Sequence, residues 1–294
     1  MFVDTHTHFY DQWLLPDAEE AIERALKAGV GKMIQADVDS SERPAMWEIG
    51  NRHPGVIYQM LGLYPCSVTE NWKDELDLVY ALAQKVKSHS SANNKSNSVE
   101  QKVKSPSSAK NKADATEGDF TFRGERVVAI GEIGLDYHEG KEFAGLQKEV
   151  LRLQFELAAK LDLPVNIHLR DAWEDFFEVV EDCRHLHLRG NLHCFTASYE
   201  VYERANKYAD FSVGIGGVIT FKNAGLPKVV ERIPMEKILL ETDAPYIAPV
   251  PYRGRRNESS YLPIIAAKVA EVKGVSLEEI ERITTRNAER LFQI

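Results

Sequence analysis

Eight short runs rich in aliphatic and β-branched residues recur along the 294-residue chain, at 2–5, 32–36, 56–61, 127–131, 164–168, 190–194, 211–215 and 237–241. Amphipathic stretches follow them, near 18–28, 43–52, 72–86, 143–161, 172–184, 198–207, 224–233 and 260–272. In one of these, Leu146, Val150, Leu153, Leu157 and Leu161 recur at helical spacing. A strand-then-helix unit repeated eight times predicts an α/β fold of the (β/α)8 TIM-barrel type, a single domain spanning 1–294. The competing architecture is a doubly wound open sheet. The regular count and the lack of a Gly-rich phosphate loop after the first strand favour the barrel.

One segment breaks the rhythm. Residues 87–117 hold six Lys against three acidic residues, eight Ser, and only Val99 and Val103 as larger aliphatics. Such a stretch cannot bury enough apolar surface to offset its ordering entropy. It reads as a flexible, low-complexity Lys/Ser/Asn-rich insertion between the third helix and the fourth strand. Its plainer role is a tolerated loop expansion; its sharper one is a Lys-bearing flap that helps hold a polyanion. After the last unit, Ser276-Leu-Glu-Glu279 has the pattern of a helix-starting capping box, with two short helices expected over 275–294.

Composition narrows the function classes. A net charge of −9 argues against a protein that coats duplex DNA through Lys and Arg, although bound cations can invert a local field. No apolar stretch approaches the roughly 18 residues of a membrane helix, and no basic-then-apolar leader opens the chain. Cys66, Cys183 and Cys194 are too few and scattered for a disulfide framework. A cytoplasmic monomer with no membrane association is expected.

The chemistry-bearing residues collect at strand ends. Residues two apart in a strand share a side, so Asp4, His6 and His8 face one way. His6 and His8 stand at the carboxyl end of their run, where barrel active sites form. Glu132, His168, His193 and Asp243 stand at the corresponding ends of the runs 127–131, 164–168, 190–194 and 237–241. Four imidazoles and two carboxylates on one face suit two cations with one carboxylate bridging. A second His-x-His, Arg184-His-Leu-His187, precedes its strand and falls at the other face, so it is not expected to bind metal. Cys194 is expected to point to the other side of its strand from His193. Asp136 is read either as an orienter of a ligand or as a loop cap.

The stretches "FVDTHTHF", "GEIGLDY", "PVNIHLRDA", "LHCFTAS", "GIGGVITFKNA", "LLETDAPYIAPVPYRGRRNE" and "RNAERLF" resemble the TatD family of metal-dependent deoxyribonucleases, within the amidohydrolase superfamily. The resemblance spans almost all of the chain outside 87–117. It implies that His6, His8 and Asp243 bind one metal, that His168 and His193 bind a second, and that Glu132 bridges them. It places Arg253, Arg255, Arg256 and Asn257 in a segment that contacts substrate or shapes the pocket. The chain departs from the family at Ser259, where proline is usual, at Tyr64, where histidine often stands, and at Leu169, which replaces a common serine.

The expected activity is hydrolysis of DNA phosphodiester bonds, as a 3′-5′ exonuclease on single-stranded ends with a role in repair or DNA turnover. Asp243 and Glu132 are the catalytic carboxylates, with Asp243 taking the proton of the attacking water. Arg170, Arg253 and Arg255 are candidates to hold flanking phosphates through paired N–H donors, with Asn257 beside them. The family implies Mg²⁺ or Mn²⁺, whereas four imidazoles also suit Zn²⁺. The alternative is a barrel hydrolase of amide, ester or deaminated small-molecule substrates, aminoacyl esters among them.

Overall fold

The computed structural model describes residues 1–86, 101–103 and 120–294. Its strands are β1 (Phe2–Thr7), β2 (Val30–Gln35), β3 (Ile57–Leu61), β4 (Gln101–Val103), β5 (Phe120–Phe122), β6 (Val127–Asp136), β7 (Val165–Arg170), β8 (Arg189–Leu192), β9 (Asp210–Ile215) and β10 (Ile238–Leu240). Eight of them form one parallel sheet in the order β1-β2-β3-β6-β7-β8-β9-β10. The helices are α1 (Ala18–Lys27), α2 (Arg43–Arg52), α3 (Trp72–Ala83), α4 (Ala144–Leu161), α5 (Trp173–Asp182), α6 (Tyr199–Ala205), α7 (Leu226–Arg232), α8 (Leu262–Lys273) and α9 (Leu277–Phe292).

The sheet closes where the last strand returns to the first. Thr7 and Ala244 form a parallel bridge. The Asp243 N–H donates to the His6 carbonyl at 3.0 Å, and the His8 N–H to the Ala244 carbonyl at 2.8 Å. The eight-unit alternation is therefore a barrel, and its seam runs through the segments that carry His6, His8 and Asp243.

Glycine permits one close approach that matters. Gly134 has φ +148°, and a Cβ there would lie 1.9 Å from the His168 carbonyl oxygen. Only a bare backbone lets β6 run this close to β7. β6 is longer than the run 127–131, so Glu132 projects from within a strand rather than from its end.

The carboxyl-terminal segment is one 16-residue helix, α9, where two short helices were expected. Ser276 caps it, accepting from the Glu279 N–H at 3.2 Å. Ala288, Leu291 and Phe292 pack in one cluster with Val3, Ile34, Met60, Val128 and Leu239. Full burial of a side chain such as Phe292 stabilises by about 1.5–3 kcal/mol, which favours one continuous helix. The Thr285 hydroxyl donates to the Met1 carbonyl and the Asn287 amide to the Ile238 carbonyl, at 2.7 and 2.9 Å. α9 thus seals the amino-terminal end of the barrel and leaves the other end open for a site.

Of the expected insertion 87–117, only 101–103 falls among the described residues. There β4 pairs antiparallel with β5. The rest of that segment lies outside them.

An ion-pair network ties α1 to the loop before α8. Arg24 bonds both Asp17 and Glu258, and Arg256 bonds Asp17 and the Trp13 carbonyl. The Arg256 hydrogen bond, joined by that from Arg24, holds the Asp17 carboxyl at about 2, below its ordinary 3.8. Its folded value is the lower one, so its contribution is present above pH 3.8 and is lost as pH falls through about 2. Because the pair is partly exposed, Asp17→Asn should lower the thermal midpoint at pH 7 by only about 1–4 °C. The gap to wild type should close as the melting pH is lowered from about 4 to about 2.

Candidate metal centre

At the carboxyl end of the barrel the other five candidate residues meet around Glu132. Its Oε2 lies 3.3 Å from His6 Nε2 and 3.8 Å from His8 Nε2. Its Oε1 lies 2.9 Å from His168 Nδ1 and 3.2 Å from His193 Nε2. One carboxylate thus turns each oxygen to a different pair of imidazoles. Asp243 Oδ1 completes the first side, 3.7 Å from His6 Nε2 and 3.5 Å from His8 Nε2. The His6 and His8 Nε2 atoms are 3.0 Å apart.

These separations fit a shared ion. Two donors each about 2.1 Å from one tetrahedral ion stand about 3.4 Å apart. Among the described residues, His6–Glu132–His193 and His6–His8–Asp243 each offer three ligand atoms within 4.8 Å of one another. His168 joins through Glu132, with its ring 5.7 Å from that of His193. The cluster is able to hold divalent metal.

Neighbours orient three of the four imidazoles. Tyr10 donates its hydroxyl proton to the Ala36 carbonyl at 2.5 Å and sits 2.8 Å from His8 Nδ1. The proton of neutral His8 is therefore held on Nδ1, leaving Nε2 free toward Asp243. His168 Nε2 meets Asp136 Oδ2 at 2.8 Å, which frees Nδ1 toward Glu132. Asp136 Oδ1 accepts from the His138 and Glu139 N–H groups, both at 2.9 Å. Both readings of Asp136 hold: one oxygen orients a histidine and the other caps the loop. His193 Nδ1 meets Glu241 Oε1 at 3.2 Å.

Burial and charge oppose each other here. Burial and the His193 charge push His6 below its ordinary value. Burial also disfavours charge on His168 and His193. The Asp136 and Glu132 hydrogen bonds outweigh it at His168, and the charges of Glu132 and Glu241 outweigh it at His193, so both are raised. Burial alone would raise Glu132 and Asp243, but the surrounding imidazoles hold Glu132 well below the usual carboxylate range and Asp243 below it.

Beneath these groups lies a polar layer, of which the motif reading placed only Asp4 on this face. Asp4, Asn166, Asn191 and Glu241 stand two residues before His6, His168, His193 and Asp243, and all four are fully buried. Asp4 accepts from the Thr242 N–H and hydroxyl at 2.9 and 2.6 Å, which fixes the approach to Asp243. The Asn166 amide nitrogen sits 2.8 Å from His6 Nδ1. Asn191 donates to Asn166 Oδ1 and to Glu241 Oε2. Gly214 makes room for Glu241, because a Cβ there would lie 1.8 Å from Oε2. The available signal was polar residues inside otherwise apolar runs, in step with the ligand positions.

A cavity of about 700 Å³ opens above the cluster, lined by His8, Glu132, His168, His193 and Asp243 together with Tyr64, Leu169, Arg170 and Tyr246. Arg170 pairs with Glu139 at 3.0 Å. Cys194 also lines the cavity, contrary to expectation. β8 ends at Leu192, and Cys194 adopts φ 47°, so strand alternation no longer sets its direction.

Arg253 and Arg255 are exposed and do not line the cavity. The Arg253 guanidinium lies 4.4 Å over the Phe221 ring. Asn257 is buried and spends its amide on the Thr242 and Tyr246 carbonyls, both at 2.7 Å. It braces the turn that carries Asp243 and does not face the cavity. Arg256 is taken up by Asp17. His185 and His187 are exposed, and neither belongs to a group of possible metal ligands among the described residues.

Comparison with known proteins agrees with this arrangement. The family described as TatD related DNase matches residues 3–293. The chain is 36% identical over 295 residues to the uncharacterized metal-dependent hydrolase YabD of Bacillus subtilis, covering all of both chains. It is 29% identical over 282 residues to the 3′-5′ ssDNA/RNA exonuclease TatD of Pantoea ananatis, covering 94% of this chain and 93% of that one. Among solved structures, the TatD homologue YJJV of Escherichia coli K12 superimposes with a TM-score of 0.80 at 25% identity, over 100% of this chain and 98% of that one.

Glu241 bonds Asn191 beneath the cluster, the Cys194 N–H and His193 itself, so its loss should be felt in metal binding. Glu241→Gln should weaken divalent-ion affinity about 10- to 100-fold, measured by calorimetric titration, with an unchanged far-UV circular dichroism spectrum.

Proposed function

The chain belongs to the TatD-related DNase family and is a metal-dependent hydrolase, and on that premise we propose that it cuts phosphodiester bonds of nucleic acid at a pair of divalent ions held by His6, His8, Glu132, His168, His193 and Asp243. The observation that carries this reading is the split of Glu132, with one oxygen toward His6 and His8 and the other toward His168 and His193. His6, His8 and Asp243 would hold one ion and His168 and His193 the other, with Glu132 placed to reach both. Mg²⁺ or Mn²⁺ accords with the family, and Zn²⁺ with the number of imidazoles.

The ions, when bound, supply the Lewis acidity that makes water a nucleophile at neutral pH and offsets charge on phosphoryl oxygens. The protein's own groups do the rest. Asp243 takes the proton of the attacking water and returns it to the leaving oxygen. Its backbone is held by the His6 carbonyl, and its turn by Asn257, so the carboxylate needs no rearrangement. Arg170 at the cavity wall holds a phosphate oxygen, and Arg253 contacts the strand farther out.

Asp11, Glu42 and Glu139 also line the cavity, where Arg170 is the lone arginine or lysine among the described residues. A polyanion is repelled by such a wall, so phosphate affinity falls to the ions. We assign a single-stranded substrate cut in the 3′-5′ direction, in keeping with the activity named for the Pantoea ananatis relative. We also assign a cytoplasmic location, with support from three free cysteines, and a monomer. Among the described residues no helix is long and apolar enough to cross a membrane.

The test is a single-stranded oligonucleotide labelled at either end, incubated with and without chelator. Shortening from the 3′ end that chelation abolishes is the expected result, and chelation should abolish binding as well as turnover. His6→Ala and Glu132→Ala should lose bound metal and activity together. Asp243→Asn should lower kcat by at least about 100-fold while KM moves much less. Near-wild-type turnover by Asp243→Asn would remove it as the base.

A further inference from the structure

Beside the cavity mouth two aromatic rings stand open to solvent. Trp13 is 57% exposed and Tyr246 44%. Large apolar side chains left outside are informative when they cluster beside a site. The rings are 6.4 Å apart, and Tyr246 stands 6.2 Å from His8. The pair is therefore continuous with the metal cluster.

The pair is also held in place. Asp11 accepts the Tyr246 hydroxyl proton on Oδ2 at 2.7 Å and the Trp13 N–H on Oδ1 at 2.8 Å, so one carboxylate clamps both residues. Arg256 donates to the Trp13 carbonyl at 2.8 Å, and the Tyr246 N–H to the Asp243 carbonyl at 2.8 Å. Among the described residues neither ring belongs to a core cluster. An aromatic surface fixed at the backbone and bare on its face has the form of a stacking platform.

Topology sets its direction. Trp13 follows β1 and Tyr246 follows β10, the two strands of the seam. Arg170 ends β7, which lies across the ring from β1 in the strand order. A chain crossing the mouth meets aromatic rings on one side and a guanidinium on the other. The carboxylates of Asp11 and Glu42 flank the aromatic side and repel phosphate there, so a base fits it better than the backbone does.

We propose that Trp13 and Tyr246 form a stacking subsite for the nucleobase next to the bond that is cut, with the phosphate directed across the cavity toward Arg170. The subsite reads the π-face that every base has, so it favours unpaired strands without choosing a sequence. It rests on the nuclease reading above and adds how the strand is seated.

The experiment uses the full chain loaded with Mn²⁺ and two oligonucleotides, one ordinary and one whose two 3′-terminal nucleotides lack bases. On the ordinary strand Trp13→Ala should raise KM about tenfold, more than it lowers kcat, and Trp13→Phe should restore most of the loss. On the strand without terminal bases, wild type and Trp13→Ala should have the same KM. An unchanged KM for Trp13→Ala on the ordinary strand overturns the subsite and leaves the nuclease reading standing. An equal loss on both strands also overturns it, because the ring would then be structural. If wild type neither binds nor cuts either strand, the nuclease reading falls and the subsite with it.

Discussion

A carboxylate taken out of water must find compensating charge or donors, and Glu132 is 3% exposed. It finds them in four imidazoles, two at each oxygen. The groups packed against those imidazoles serve that arrangement. His8 is turned by Tyr10, His168 by Asp136 and His193 by Glu241, and each partner leaves the ring nitrogen nearer Glu132 or Asp243 free. The partners are anchored in turn: Tyr10 on the Ala36 carbonyl, Asp136 on two loop N–H groups, Glu241 on Asn191. A ring of this kind is costly to assemble and rigid once assembled, which is what a divalent ion with fixed donor spacing requires.

The barrel is what makes the ring possible from a linear chain. β1 supplies His6 and leads to His8, and Asp243 follows the last strand. Backbone hydrogen bonds across the seam, from Asp243 to the His6 carbonyl and from His8 to the Ala244 carbonyl, hold these side chains beside one another. Closing the sheet and bringing His6, His8 and Asp243 together are thus one event. α9 contributes from the opposite end, packing Ala288, Leu291 and Phe292 against the strands.

Much of this was legible in the sequence. Strand period and helix spacing sufficed for the barrel, and position along each strand separated His6 and His8 from the look-alike pair His185 and His187. What was not legible depends on direction rather than position. Glu241, Asn191 and Asn166 sit inside apolar runs, and a run alone does not say which polar residue lies under a ligand. Asn257 is in a motif beside Asp243, yet its amide turns inward to two carbonyls. Cys194 was misjudged because a left-handed backbone at that residue ends the alternation. Trp13 carried no pattern at all; its meaning comes from Tyr246, brought to it by closure.

The central claim is that Glu132 stands between two ions. A crystal soaked in Mn²⁺ and measured at the manganese absorption edge tests it most directly. The account predicts two anomalous peaks about 3.5–4 Å apart, one on the His6, His8 and Asp243 side of the carboxylate and one on the His168 and His193 side. A single peak at saturating Mn²⁺, or two peaks away from Glu132, would contradict it.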